Sequence, residues 1–323
     1  MRFIKHPILC NYYLTYRCNA ACGFCDIWER PSEYASLEII RENLRALKRL
    51  KVKVIDFTGG EPLLHRQIDQ ILSLAKEMGF ITTLTTNCLL YPKWAERLKG
   101  KIDMLHFSLD SIVEEKHNAS RKVACYAHIQ ESITIARSLK ERPDILFTVF
   151  PENMHELPML HEEYALKKDL VVILNPVFDY HDVDVSLNKT HLKTLKKWAK
   201  KKNVYLNEAF IQLRLDGGNK TKNPICRAGS STIVISPDNK LIVPCYHLES
   251  RAFPINNDLD QLYKKQEVQN SIAQEGKLKE CEGCVINCYM QPSFAVEFNK
   301  YWWHALPSTI KYNRLKGTWK SLF

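Results

Sequence analysis

Three cysteines stand close together near the start of the chain, Cys18, Cys22 and Cys25, spaced C-x3-C-x2-C on a loop-like segment that begins at Tyr16. A [4Fe–4S] cube takes four thiolates. Three cysteines on one loop hold three irons and leave the fourth open to a ligand, and an open iron is a place for chemistry. Gly59-Gly60-Glu61-Pro62 follows at the end of the next predicted strand and adds weight to the pattern. The alternative is a zinc knuckle, which wants a fourth Cys or His nearby. His6 is the nearest candidate, and a predicted strand separates it from the thiols.

At 323 residues the chain has room for one large domain or for a domain plus a smaller one, and a hydrophobic content of 45% supplies an ordinary core. No run of eighteen apolar residues is present, so no membrane span is expected, and the N-terminus lacks the apolar stretch of a secretory signal. Eleven cysteines without an export signal point to a reducing compartment, with the cytoplasm as the default, and to metal rather than disulfides. The net charge of +10 is concentrated partly between Lys189 and Lys202. There Leu192, Leu195 and Trp198 recur at spacings of three, the pattern of an amphipathic helix with a solvated basic face. No recognition motif for nucleic acid accompanies the charge, so nucleic acid is not an expected partner.

Strands and helices alternate from residue 8 to about 178. The pattern predicts strands at Ile8–Leu14, Val52–Thr58, Phe80–Thr86, Ile102–Leu109, Ile145–Phe150 and Leu170–Val177. Helices are expected at Leu37–Leu50, capped by Ser36, and at Ile68–Met78, Lys93–Leu98, Ala127–Leu139, Glu156–Leu166 and Leu192–Lys200. Such alternation implies a parallel sheet with right-handed crossovers, and six units are too few for an eight-stranded barrel. Beyond about residue 203 the alternation fails, and polar turns and five more cysteines appear.

Together, the cysteine loop and Gly59–Pro62 resemble the radical S-adenosylmethionine (SAM) superfamily. The resemblance implies an α/β fold, a partial (β/α)6 TIM-like barrel with a small C-terminal Cys-rich auxiliary-cluster domain. It implies a catalytic [4Fe–4S] cluster on Cys18, Cys22 and Cys25. It also implies SAM as cofactor, cleaved reductively to a 5′-deoxyadenosyl radical that abstracts hydrogen from a substrate, with a reductant such as flavodoxin or ferredoxin. In such proteins the glycine motif meets the SAM amino group, so Gly59, Gly60, Glu61 and Pro62 are expected there, the glycines because a Cβ would obstruct the cofactor's approach. Phe24 matches an aromatic that packs on adenine. Ser108, Asp110 and Arg121 match a segment that reaches the ribose and amino-acid part, with Arg121 able to pair with the SAM carboxylate. Asn87 falls where Thr-Asn-Gly is frequent, but the third residue is Cys88, a departure that removes backbone freedom. Thr148, Asn153 and Asn175 are expected near the strand ends, as SAM or substrate contacts or as loop caps.

Cys226 and Cys245 flank a predicted hairpin, Thr232–Ser236 and Lys240–Val243, and Cys281, Cys284 and Cys288 follow. This resembles the superfamily's "twitch" and SPASM units and implies one auxiliary [4Fe–4S] cluster on Cys226, Cys245, Cys281 and Cys284. Cys288 is either a replacement ligand or free beside the cluster, and a four-thiolate zinc ribbon is the alternative. Cys10, Cys88 and Cys125 read as packed small residues. The expected domains are 1–202 (barrel), 203–290 (auxiliary cluster) and 291–323, an aromatic and basic tail. The tail suits a helix laid against the open barrel, or peripheral contact with the inner membrane face. Only seventeen residues precede Cys18, which favours a small-molecule or lipid substrate over a peptide. A peptide-modifying enzyme and a non-catalytic electron carrier or scaffold are the competing functions.

Overall fold

A computed structural model describes residues 2–177, 187–248, 251–256 and 258–318. Among these described residues, ten strands form one sheet in the order β10-β9-β8-β1-β2-β3-β4-β5-β6-β7. Its centre is β1 (Leu9–Thr15), β2 (Val54–Gly59), β3 (Ile81–Thr86), β4 (Met104–Leu109), β5 (Asp144–Val149) and β6 (Val172–Pro176), all parallel. The intervening helices are α1 (Leu37–Arg49), α2 (Ile68–Glu77), α3 (Tyr91–Leu98), α4 (Glu114–Arg121), α5 (Tyr126–Ser138) and α6 (Leu157–Leu160), which a π-helical stretch over His161–Lys167 prolongs. This is the expected six-unit partial barrel. Ser36 caps α1 by accepting a hydrogen bond from the Ile39 amide, and Ile40, Leu44 and Leu47 bury its inner face.

Strand alternation divides the sheet into two faces. Outward residues such as Ile55, Phe57, Phe107, Ile145 and Phe147 are wholly buried beneath the helices. Inward residues of the same strands, among them Asp56, Thr58, His106, Thr148 and Asn175, keep partial accessibility. The barrel therefore has a lumen lined by polar groups.

Past α7 (Lys189–Trp198), the sheet continues further than the sequence suggests. A two-residue strand, β7 (Val204–Tyr205), adds to β6 in parallel before α8 (Glu208–Leu215). The short helix α9 (Ala228–Ser231) leads into the expected hairpin of β8 (Thr232–Ile235) and β9 (Lys240–Val243). That hairpin extends the barrel sheet, because β8 pairs with β1 in parallel, and β10 (Arg251–Pro254) completes the edge. After α10 (Leu259–Lys264) and α11 (Gln266–Ile272), α12 (Asn287–Val296) and α13 (Lys300–Lys316) lie across the open side. Phe210 and Leu213 of α8, Tyr289 and Phe294 of α12 and Tyr301 of α13 form one apolar cluster with Val234 of β8. Asn287 donates to Asn175 on β6 at 2.6 Å, so α12 spans the gap between β6 and β8.

Much of the tail is thus a docked helix. The Tyr312 hydroxyl donates to Asp144 Oδ2 at 2.6 Å, and Lys316 Nζ pairs with Asp144 Oδ1 at 2.8 Å. Asp144 is the first residue of β5, so the end of α13 closes the lumen where the strands begin.

Candidate cofactor sites at the strand ends

Each predicted element of the first site closes a strand. The cysteine loop leaves β1, Gly59 ends β2, Asn87 follows β3 and Asp110 follows β4. The loop closes on itself where Ser32 accepts the Tyr16 amide at 2.7 Å and its carbonyl accepts Arg17 Nε at 2.8 Å. Its far side docks on the end of α4, where Ala21 and Gly23 amides donate to the Arg121 and Ser120 carbonyls. The three thiols share one environment: Cys18 senses Cys22 and Cys25, and Cys25 senses Cys22. Burial pushes Cys18 up to about 12 and Cys25 up to about 11, and it also raises Cys22. These thiols remain protonated until a cation takes their protons' place.

The glycines are also required by the fold itself. A Cβ on Gly59 would stand 2.1 Å from the Thr15 carbonyl oxygen, and one on Gly60 would stand 2.2 Å from that of Arg17. Their missing side chains make room for the backbone entering the cysteine loop. Glu61 is buried and ties strand ends together: one carboxylate oxygen accepts from the Leu63 amide and the Thr86 hydroxyl, the other from the Asn87 amide. Burial raises its carboxyl to about 7 despite these bonds. Pro62 opens the turn Pro62–Leu64 that Glu61 caps. Asn87 Nδ2 reaches Asn19 in the cysteine loop at 2.7 Å, and its Oδ1 accepts from the Leu89 amide. Cys88 adopts φ +70°, so the residue standing in place of glycine takes the glycine-like conformation.

Asp110 and Arg121 come together, but with each other. Arg121 Nε and Nη2 bond the two Asp110 oxygens at 2.6 and 2.9 Å, in a buried bidentate pair. Arg121, expected to meet the SAM carboxylate, is a partner of Asp110 and keeps its Nη1 edge outside the pair. Its guanidinium lies 5.6 Å from the Phe24 ring centre, which in turn contacts Phe150 at 5.5 Å. Ser108 is buried on the inner face of β4. Asn153 is a loop cap: it accepts from the Phe150 amide and donates to the Asp110 and Thr148 carbonyls.

At the second site one cavity is lined by Cys226, Cys245, Cys281 and Cys284 together. Burial raises all four thiols, Cys245 to about 12. Cys288 does not line this cavity. Burial among neighbouring atoms pushes its thiol up to about 12, although it is accessible, and it senses both Asp56 on the inner face of β2 and Cys284 at the cavity.

Asn219, which the sequence shows only as the end of a Gly-Gly-Asn turn, organises this cavity. It is fully buried; its Nδ2 donates to the Gly276 and Cys281 carbonyls, its Oδ1 accepts from the Ile225 and Cys226 amides, and its own amide donates to Cys284. Gly218, at φ +79°, lets it approach, since a Cβ there would meet the Gly283 carbonyl oxygen at 2.1 Å.

Residues 12–164 match the family model of the radical SAM superfamily. The chain carries a radical SAM domain. The domain is similar to a GTP 3′,8-cyclase of Syntrophomonas wolfei, 33% identical over 43% of this chain and 46% of that protein. An S-adenosylmethionine-dependent nucleotide dehydratase, RSAD2 of Oncorhynchus mykiss, is 24% identical over 69% of this chain and 56% of its own length. The chain thus spans about a third to a half of the curated relatives it matches. Among solved structures, Streptococcus suis SuiB bound to precursor peptide SuiA superposes with a TM-score of 0.68 at 17% identity, covering 83% of this chain and 67% of that one. Native anSMEcpe with bound AdoMet gives 0.65 at 16% identity over 98% and 100%. At these identities the structures establish the fold.

A radical SAM domain implies a [4Fe–4S] cluster and SAM. The donor set of the first site fits that cube, with three thiols on one loop, and four further thiols line one cavity at the second site. Among the described residues no three His, Cys, Asp or Glu side chains are arranged to hold a single metal ion. Changing Cys226 to Ser is expected to lower iron in the reconstituted protein from about eight to about four per chain, and Cys288→Ser to leave it unchanged. Iron and acid-labile sulfide analysis of the two variants checks this.

Proposed function

We propose that this chain is a radical SAM enzyme acting on a polar small molecule, with one auxiliary [4Fe–4S] cluster. The observation that carries the reading is the convergence of the cysteine loop, Gly59–Glu61, Asn87 and the Asp110–Arg121 pair at one end of a lumen closed at the other. Cys18, Cys22 and Cys25 would hold the catalytic cluster. Once bound, cluster and SAM supply a one-electron reduction of the sulfonium and a 5′-deoxyadenosyl radical.

The chain's own residues shape and orient that site. Glu61 fixes the ends of β2 and β3, Asn87 ties the cysteine loop to β3, and Phe24 offers a ring face for adenine. Ser108 and the Nη1 edge of Arg121 offer polar contacts to SAM. Cys226, Cys245, Cys281 and Cys284 would hold the auxiliary cluster, with the soft domain boundary near residue 203. A substrate radical forms inside the lumen, where Asp56, Thr83 and His106 line the wall. Thr83 donates to Asp56, and burial raises the Asp56 carboxyl. Such a lining suits a hydrogen-bonding substrate better than a lipid. The relatives named as acting on nucleotides point to the same chemical class.

Anaerobic reconstitution followed by dithionite and SAM tests the reading. Methionine and 5′-deoxyadenosine are expected from the wild type, with no detectable product from Cys22→Ala. A wild type that binds two clusters and forms neither product would make the chain an electron carrier or scaffold instead.

For peripheral membrane contact we propose one patch. Phe3, Phe298 and Trp303 are exposed, and with Trp302 they form a ring cluster beside Lys300. No helix among the described residues is long and apolar enough to cross a membrane. If the patch meets lipid, flotation with vesicles containing anionic lipid carries the protein upward, and Trp303→Ser abolishes this.

A further inference from the structure

The two cysteine sites are joined by aromatic rings. Tyr13 on β1 stacks on Tyr246 with centroids 4.4 Å apart and planes 12° from parallel. Tyr16 meets both, at 5.6 Å from Tyr13 and 6.2 Å from Tyr246. The Arg30 guanidinium covers the group, 5.1 Å from the Tyr246 centre and 5.8 Å from that of Tyr16. Both ends of this seam are chemically placed. Tyr16 precedes Cys18 by two residues, and Tyr246 is bonded to Cys245. On the far side His247 links Tyr246 to Tyr289, at 5.5 and 5.7 Å, and Tyr289 lines the four-cysteine cavity.

Aliphatic side chains would fill the same seam and bury it as well. Rings in contact do something aliphatics do not: their π orbitals couple across the contact, so electron tunnelling decays less steeply through them than through saturated side chains of the same volume. Burial also holds the Tyr16 and Tyr246 phenols protonated, with Tyr246 raised to about 12, so these two rings carry no charge of their own.

We propose that Tyr13, Tyr16 and Tyr246 form an electron path from the cluster on Cys226, Cys245, Cys281 and Cys284 to the one on Cys18, Cys22 and Cys25. The proposal rests on the two-cluster reading above. One electron leaves the auxiliary cluster, which is oxidised, and arrives at the catalytic cluster, which is reduced. Each reductive cleavage of SAM consumes one such electron and releases one methionine. The rings bridge the transfer without being oxidised.

The test uses the full chain with both clusters reconstituted. The protein is reduced with dithionite, freed of excess reductant anaerobically and mixed with SAM. Methionine is counted, and the electron paramagnetic resonance signal of the auxiliary cluster is followed by freeze-quench. The wild type, loaded with two electrons, is expected to yield close to two methionines per chain as the auxiliary signal disappears, at a rate independent of protein concentration. Tyr246→Leu is expected to release the first methionine promptly and to slow decay of the auxiliary signal about tenfold or more, while Tyr246→Phe behaves as wild type. Tyr13→Leu, at a residue not adjacent in sequence to any cysteine, is expected to do the same as Tyr246→Leu and covers the case in which the latter loses its cluster. Unchanged decay in the leucine variants with about eight irons bound overturns the path alone. A single methionine with a persisting auxiliary signal in the wild type also overturns it. About four irons per chain in the wild type overturns the two-cluster reading, and the path with it.

Discussion

Lys316→Met is expected to lower the unfolding free energy by about 3–5 kcal/mol, read as a drop in the urea midpoint at neutral pH. Lys316 and Asp144 are both buried, and their ion pair spans α13 and the start of β5. Methionine keeps most of the stem's volume but strands the Asp144 carboxylate, to which only the Tyr312 hydroxyl and His106 remain close. The loss is larger than a surface pair would give, because water cannot replace the lost partner. Asp144→Asn in the same background removes the stranded charge and is expected to recover part of the midpoint.

The pH dependence has a defined sign. Burial alone would raise the Asp144 carboxyl, but His106 and Lys316 outweigh it and hold the group below the usual carboxylate range. A depressed carboxyl contributes stability that is complete above the unfolded-state value, about 3.9, and is lost as pH falls through the folded-state value. The wild type therefore keeps this contribution through mildly acidic solution. In Lys316→Met the carboxyl titrates higher, so the deficit relative to wild type should be greatest at neutral pH and shrink towards acid. Equal midpoints at pH 7 would show that α13 contributes little to closing the barrel.

The six-unit barrel and both cysteine clusters were legible because period and spacing are local properties. Hydrophobic alternation marks β1–β6 wherever they pair, and C-x3-C-x2-C places three thiols on one loop. The continuation of the sheet was not legible: β8 lies more than two hundred residues from β1, and nothing local in Thr232–Ile235 says which edge it joins. Nor was α4, whose polar sequence Glu-Glu-Lys-His-Asn-Ala-Ser-Arg buries only His117 and Arg121. The partners of Asp110 and Arg121 were hidden for the same reason. Each residue type suits a cofactor, and only the fold shows that they spend most of their bonding on one another. Cys288 was ambiguous by spacing, since three residues separate it from Cys284; in the fold it stands in the first turn of α12, outside the lining of the cavity and sensed by both Asp56 and Cys284.

Gly60→Ala carries the other large effect. The added Cβ would lie 2.2 Å from the Arg17 carbonyl oxygen and 2.5 Å from that of Tyr16. Both obstructions are backbone and cannot rotate aside, so the Tyr16–Arg17 segment must move. Movement breaks the bond from the Glu61 amide to the Arg17 carbonyl, 2.9 Å long, and shifts the start of the cysteine loop at Cys18. Overpacking of this kind costs about 1–3 kcal/mol or more. The expected result is a folded protein that has lost its N-terminal cluster, with iron falling from about eight to about four per chain. Gly23→Ala is the control, because the added Cβ has no neighbour within 4 Å although the residue sits inside the same loop. Its melting temperature should match wild type. The comparison separates two roles for Gly60. A glycine needed only for close approach of SAM would, once replaced, keep both clusters and lose SAM binding. A glycine that seats the loop loses the cluster itself, before any cofactor arrives.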